Sequence, residues 1–219
     1  MSTTTTIEKK KRGRPKGSKQ IDKAAILEVA FREFATKGFD GTRQRDIASM
    51  ADITNSLMNY HFDGKEDLWK QSVTHLGKKL TKRFLEIQSY FKDLEELSAM
   101  KAYTRQFIYF SAQHPEFYKI VFHEMCTKTK RAKWLIETIL APMHHLTEKA
   151  NRKNTEGKMV FRGYPLPNLF SMIIGSANVF FIHVYQMENM YGIDSFDEKE
   201  IEQHADVVID LLFAKFQND

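Results

Sequence analysis

Residues 39–68 read FDGTRQRDIASMADITNSLMNYHFDGKEDL. Inside this stretch two short amphipathic runs stand three residues apart. Thr42 reads as the cap of a helix over Arg43–Met50 that turns Ile47 inward. Ala51-Asp52-Ile53 makes a tight turn, and Thr54 caps a further helix, Asn55–His61, with Met58 and Phe62 inward. Lys65-Glu66-Asp67-Leu68 opens a fourth, longer helix. Upstream, Ile26, Leu27, Ala30, Phe31, Phe34 and Ala35 fall at helical spacing and predict an amphipathic helix over about Ile21–Lys37. Gly38 stops it and frees Phe39 to pack back.

Two short helices on a three-residue turn, the second opening in small and polar residues, describe a helix-turn-helix. The second helix of such a unit enters the DNA major groove by its N-terminal end. An ordinary helical hairpin is the plainer alternative. The polar positions argue against it, because they are not scattered. Thr54, Asn55, Ser56 and Asn59 share the exposed face, and Arg43, Gln44 and Arg45 stand beside them.

The charge distribution points the same way. Residues 1–65 hold 13 Lys and Arg against 8 Asp and Glu, and residues 66–219 hold 20 of each sign. The whole net charge of +5 therefore lies on the first third, as a surface for nucleic acid or another polyanion requires. Its densest part is Lys9–Lys19, with seven basic residues and no acid. Gly13, Pro15 and Gly17 exclude a regular helix there and predict a disordered arm. Arg12-Gly13-Arg14-Pro15 resembles the core of an AT-hook, in which a thin backbone lies in the minor groove. Arg12 and Arg14 would there meet the strong negative potential of A·T tracts. A tail that touches only phosphates fits the arm equally well, and the helix-turn-helix behind it favours the groove.

The stretch resembles the TetR family of one-component transcriptional regulators. The resemblance runs through Phe39-Asp40-Gly41-Thr42, Arg45-Asp46-Ile47-Ala48, Ala51-Asp52-Ile53-Thr54, Asn59-Tyr60-His61-Phe62 and Lys65-Glu66-Asp67-Leu68. It implies that Thr42, Tyr60, His61 and Lys65 meet phosphates and that residues of the third helix meet bases. With Arg12, Arg14, Arg43, Gln44, Arg45, Thr54, Asn55, Ser56, Leu57 and Asn59 these make the expected DNA-facing set. Two positions depart from the family pattern. Asn59 stands where an aromatic is frequent, and Leu57 where a small residue is frequent. Asn59 can bond adenine bidentately, and Leu57 can meet a thymine methyl.

Residues 65–219 read as helix nearly throughout, over about 65–91, 94–113, 115–127, 130–153, 168–191 and 197–216, with Asn154–Pro167 as a loop. The expected fold is all-α: an N-terminal three-helix headpiece carrying the helix-turn-helix, then a C-terminal helical domain. The arm occupies 1–19, the DNA-binding domain 20–65 and an effector-binding and dimerisation domain 66–219. Residues 163–187 carry no charge, which is length enough to cross a bilayer. Pro165, Pro167, Asn168, Ser171, Ser176, Asn178, His183 and Gln186 weigh against a membrane span. Ile173, Ala177, Phe180 and Val184 recur at steps of four and three, and Ile201, Ala205, Val208 and Leu212 repeat the pattern in the last helix. Two such helices met by their symmetry mates would close a four-helix homodimer interface, which the resemblance also implies.

The middle helices are rich in aromatic rings and Met, which line adaptable cavities as well as ordinary cores. The resemblance implies a pocket there for a small-molecule effector, at least partly apolar. Phe84, Tyr103, Phe107, Phe110, His114, Phe122, His123, Met125, Met172 and Phe180 are its candidates, with Glu124 and His183 as further polar anchors. No GxSxG elbow, phosphate loop, dinucleotide fingerprint or HExxH occurs. His123 and Cys126 make half a metal site at most, and a single cysteine excludes an intrachain disulfide. No enzyme, cofactor or metal is expected. The first twenty residues hold no apolar run, which points to the cytoplasm. These readings combine into a homodimeric repressor, released by its effector from a pseudo-palindromic double-stranded DNA operator. The rivals are a DNA-architectural protein led by the arm, without a ligand, and a small helical enzyme.

Overall fold

The computed structural model describes residues 22–91, 93–142, 160–161 and 164–216. The basic arm, with Arg12 and Arg14, lies outside them. Helix α1 (Lys23–Gly41) starts under Asp22, whose Oδ1 accepts from the Ala24 amide at 2.9 Å. It buries Ile26, Leu27, Ala30, Phe31 and Phe34, the stripe that its periodicity marks. Gly38 interrupts it with a φ of 69°, a conformation that L side chains rarely adopt. Phe39 then stacks on Phe34 with ring centroids 5.9 Å apart.

Helix α2 (Gln44–Met50) corrects one expectation. Arg43, not Thr42, holds its cap position, and no side chain caps it. Thr42 is buried, with its hydroxyl donating to the Gly38 carbonyl at 2.7 Å and to the Glu33 carbonyl at 3.2 Å. The Thr42 amide donates to the Phe39 carbonyl, which leaves the Gly38 carbonyl without a helical amide, and the Thr42 hydroxyl supplies its donor. The turn after α2 places Asp52 at a φ of 53°. Thr54 caps α3 (Asn55–His61) by accepting from the Leu57 amide at 3.3 Å. Helix α4 (Gly64–Phe91) runs 28 residues, roughly 42 Å at 1.5 Å per residue, out of the headpiece.

Beyond it come α5 (Glu96–Gln113), α6 (Pro115–Met125), which opens on Pro115, and α7 (Lys130–Leu135). Helix α7 continues into a π-helical turn over Ile136–Leu140. That turn lies against α4 at Gly77, where a Cβ would stand 3.2 Å from an Ile139 methyl. The expected end of the helix at Lys153 lies outside the described residues. Val160–Phe161 (β1) pairs antiparallel with Tyr164–Pro165 (β2), a short ribbon inside the expected loop.

The helix expected over residues 168–191 is two helices. Helix α8 (Leu166–Ile182) and helix α9 (Val184–Tyr191) meet at His183 with a bend of 68°. No Pro or Gly causes the break. Helix α8 buries Leu169, Ile173, Ala177 and Phe181, whereas α9 buries none of its residues. Packing therefore holds the axis only as far as Ile182. No single described helix is long and apolar enough to cross a membrane. Helix α10 (Glu198–Phe213), capped by Asp197, ends in a 3-10 turn over Ala214–Phe216.

One buried cluster joins the headpiece to the domain behind it. It runs from Ile26, Phe34, Ile47, Met58 and Phe62 through Leu68 and Trp69 to Phe117, Leu135 and Ile139. Two further clusters lie where α8 and α10 cover α5. Four of the eight residues expected at a dimer seam lie in these clusters. Ile173, Ala177, Ala205 and Val208 are buried within one chain, and Phe180, Ile201 and Leu212 pack around them. Val184 is half-buried, just past the break. For the buried four, α5 with Ile108 supplies cover within the chain. The apolar residues that α8 and α10 leave exposed are Met172, Ile174, Val207 and Leu211.

Candidate nucleic-acid interface

Helix α3 is held from behind and open in front. Met58 and Phe62 are buried at 0% and 2% exposure, so the helix cannot roll. Asn55, Ser56, Asn59 and Tyr60 are exposed, as is the capping Thr54. Tyr60 meets the His61 ring edge-on with centroids 5.2 Å apart, and His61 is half-buried. Leu57 is also half-buried, so only part of its side chain faces outward. Arg43 and Arg45 are exposed on α2, with Arg45 3.5 Å from Asp46, while Gln44 is half-buried. The structure thus brings the α2 and α3 candidates together, with the Thr42 side chain buried behind them.

Lys65, at the start of α4, sits differently from the others. Its ammonium lies 4.5 Å from the centroid of Phe39 and 3.4 Å from the Asp40 carbonyl, to which it donates. Burial lowers its pKa; the Asp40 carboxylate opposes that shift, and the nearby Arg131 adds to it. Arg131 itself stacks on Phe39, with its guanidinium carbon 3.7 Å from the ring centroid. Its Nε donates at 3.1 Å to Glu124, whose other oxygen accepts from the Thr129 hydroxyl at 3.0 Å. Sequence reasoning missed Arg131. The residues of this cluster stand far apart along the chain, and no periodicity links them.

Residues 26–71 match the family described as bacterial regulatory proteins, tetR family, and residues 97–212 match the tetracyclin repressor-like C-terminal domain. The chain belongs to the TetR family. The HTH-type transcriptional regulator RutR of Escherichia coli (strain K12) is 30% identical over 103 residues, 47% of each chain. IcaR of Staphylococcus aureus (strain Newman), a negative regulator of the biofilm operon icaADBC, is 41% identical over 51 residues, 23% of this chain and 27% of IcaR. The chain thus spans about half the length of RutR and about a quarter of IcaR in these matches. The fold is also that of FadR from Bacillus subtilis, solved in complex with stearoyl-CoA. Its TM-score is 0.55 at 16% identity, covering 86% of this chain and 96% of FadR.

The positions expected to line an effector pocket in this TetR-family chain divide in two. Phe110 is buried, and Tyr103, Phe107 and His114 are half-buried. Phe107 meets Tyr118 edge-on at 5.7 Å between centroids, Phe110 lies 5.0 Å from His114, and Tyr103 lies 5.5 Å from Phe91. Phe122, His123 and Met125 on α6 and Met172 on α8 are exposed. Helix α6 spends its inner face, Phe117, Tyr118, Ile120 and Glu124, on the core. Phe180 stacks on His204 at 4.3 Å, and the Phe84 side chain lies outside the described residues. Glu124 is engaged by Arg131 and Thr129, and His183 is exposed at the helix break, so neither is a free pocket anchor.

The inner polar pair is one that sequence reasoning did not single out. Burial raises the Tyr118 hydroxyl far above its ordinary value, and the Asn178 amide beside it partly offsets this. Asn178 donates to the Ile174 carbonyl at 2.8 Å, and its own side-chain oxygen is buried without a partner. An amide inside the uncharged run 163–187 was the available signal. Among the described residues, no three His, Cys, Asp or Glu side chains gather as a metal site.

Proposed function

We propose that this chain is a homodimeric repressor that binds a pseudo-palindromic operator and leaves it when a small-molecule effector binds among α4–α8. The observation that carries the reading is the outward face of α3: Asn55, Ser56, Asn59 and Tyr60 exposed over a buried Met58 and Phe62, with Arg43 and Arg45 beside them. Amide side chains on a helix that fits the major groove read base edges, and flanking arginines bind phosphates. Two-fold symmetry supplies the second half-site. Val207 and Leu211 on α10, with Met172 and Ile174 on α8, supply the exposed apolar surface that a partner would cover. The rings of Tyr103, Phe107 and Phe110 suit a largely apolar effector, and the same fold holds stearoyl-CoA in FadR. Release requires the effector to prefer the DNA-incompetent state, since equal affinity for both states shifts nothing. The domains are then a headpiece over 20–65 and an effector and dimer domain over 66–219.

The test starts from a duplex that the full chain selects from a random library. Asn55→Ala or Asn59→Ala should cost about 1–3 kcal/mol on that duplex and almost nothing on a scrambled one at the same salt. Equal losses on both would make these residues phosphate contacts and leave the base reading without support.

A further inference from the structure

We propose that Arg131 is a positioning residue for operator binding: clamped by buried Glu124, it lays its guanidinium on Phe39 and thereby fixes the Gly38–Thr42 corner and the Lys65 ammonium. The proposal rests on the reading of α2, α3 and Lys65 as the DNA-facing surface. Through this contact the α6–α7 turn sets how tightly the headpiece holds DNA, although Arg131 touches no base or phosphate.

The anchor is on the far side. The Glu124 side chain is only 5% exposed and that of Arg131 18%. A carboxylate this deep needs its partners, and it has two: the Arg131 Nε at 3.1 Å and the hydroxyl of Thr129, the residue that caps α7. Arg131 therefore cannot swing away without stranding a buried charge. Arginine suits the position because one planar group both donates in its plane and stacks by its face.

The near side is the corner that feeds α2. Phe39 follows the Gly38 break, stacks on Phe34 and meets Trp69 edge-on at 6.4 Å. Arg131 at 3.7 Å and Lys65 at 4.5 Å both use the same ring. Two cations drawn to one ring repel each other, so the place taken by the clamped one limits the place left for the other. Lys65 is the freer of the two, held by one carbonyl at 3.4 Å. Beyond Phe39 the corner closes on Thr42, whose buried hydroxyl ties it to Gly38 and Glu33, and leads into Arg43 and Gln44. A shift at Arg131 thus reaches the start of α2 and the start of α4 together.

The experiment measures binding of the full chain to the duplex it selects, for the double variant Glu124→Gln/Arg131→Gln, with and without Lys65→Ala. The double variant leaves no unpaired buried charge, so it folds where Arg131→Gln alone can fail, and its thermal unfolding is checked first. Binding should weaken roughly tenfold, the scale of one desolvated cation–ring contact. In the Lys65→Ala background the loss should shrink by the share that runs through Lys65, leaving the share that runs through the corner into Arg43. In that background the double variant should leave the dependence on salt unchanged. Equal losses in both backgrounds would make the role merely structural and overturn the proposal, as would no loss at all. A salt slope made shallower by about one by the double variant in the Lys65→Ala background as well would make Arg131 itself a phosphate contact, and overturn it too. A wild-type chain that selects no duplex would remove the DNA reading and this proposal with it, whereas selection with unaffected variants would remove only this proposal.

Discussion

His114 and His204 are two imidazoles that the fold makes harder to protonate. His114 sits between α5 and α6 against Phe110; burial lowers its pKa, with Glu116 opposing the shift and Lys79 adding to it. His204 stacks on Phe180, and its Nε2 lies 2.8 Å from the Ser176 carbonyl. Burial lowers its pKa as well, against that carbonyl. Both groups then hold fewer protons folded than unfolded at mildly acidic pH. Their contribution to stability is present above the ordinary value of 6.5 and is lost as pH falls through the lowered folded values. The thermal midpoint should therefore drop as pH falls below the ordinary imidazole value of 6.5. The double variant His114→Phe/His204→Phe keeps the ring contacts and should flatten that drop. A midpoint as pH-dependent as that of the wild type would assign the titration to other groups.

At the scale of elements, α8 and α10 separate two jobs that their sequences run together. Ala177 has no exposed surface and packs with Ile108, Phe181, Ala205 and Val208. Ala177→Glu would place an unpaired carboxylate in that core at a cost of several kcal/mol, so the monomer itself should unfold early. Leu211 is 77% exposed and stands one helical turn from Val207. Leu211→Glu should leave the far-ultraviolet spectrum and thermal unfolding unchanged while shifting sedimentation from dimer to monomer. A Leu211→Glu protein that sediments with the wild-type dimer would put the partner surface elsewhere. The same pair of helices shows what spacing conveys. Steps of four and three identify a covered face, but intrachain and interchain cover look alike in one dimension. The break at His183 was equally hidden, because it follows from where packing ends and not from a helix-breaking residue.

For the molecule as a whole, the open question of binding is how the arm joins the headpiece. Lys23, at the start of α1, lies over the Phe62 ring at the end of α3, with its ammonium 5.1 Å from the centroid. Residues 1–18, with Arg12 and Arg14, precede α1 in the sequence. If Arg12 and Arg14 enter a narrow minor groove, deleting residues 1–18 should weaken binding more for operators with A·T-rich flanks than for G·C-rich ones. Arg14→Ala should reproduce much of the difference, and Lys10→Ala should not. Equal weakening on both duplexes would make the arm a plain electrostatic tail. The sequence by itself determined the all-α class, the turn at Ala51–Ile53 and the bounds of α3, because caps, turn residues and apolar periodicity act within a few residues of one another. It also determined which face of α3 stays open, since Met58 and Phe62 mark the other. It took the packed chain to reveal that Thr42 closes α1 instead of opening α2, that Ile173, Ala177, Ala205 and Val208 are buried within one chain, and that Arg131 reaches Phe39. Each of those depends on which distant residue arrives to fill a space or satisfy a polar group, and spacing along a chain carries no record of that arrival.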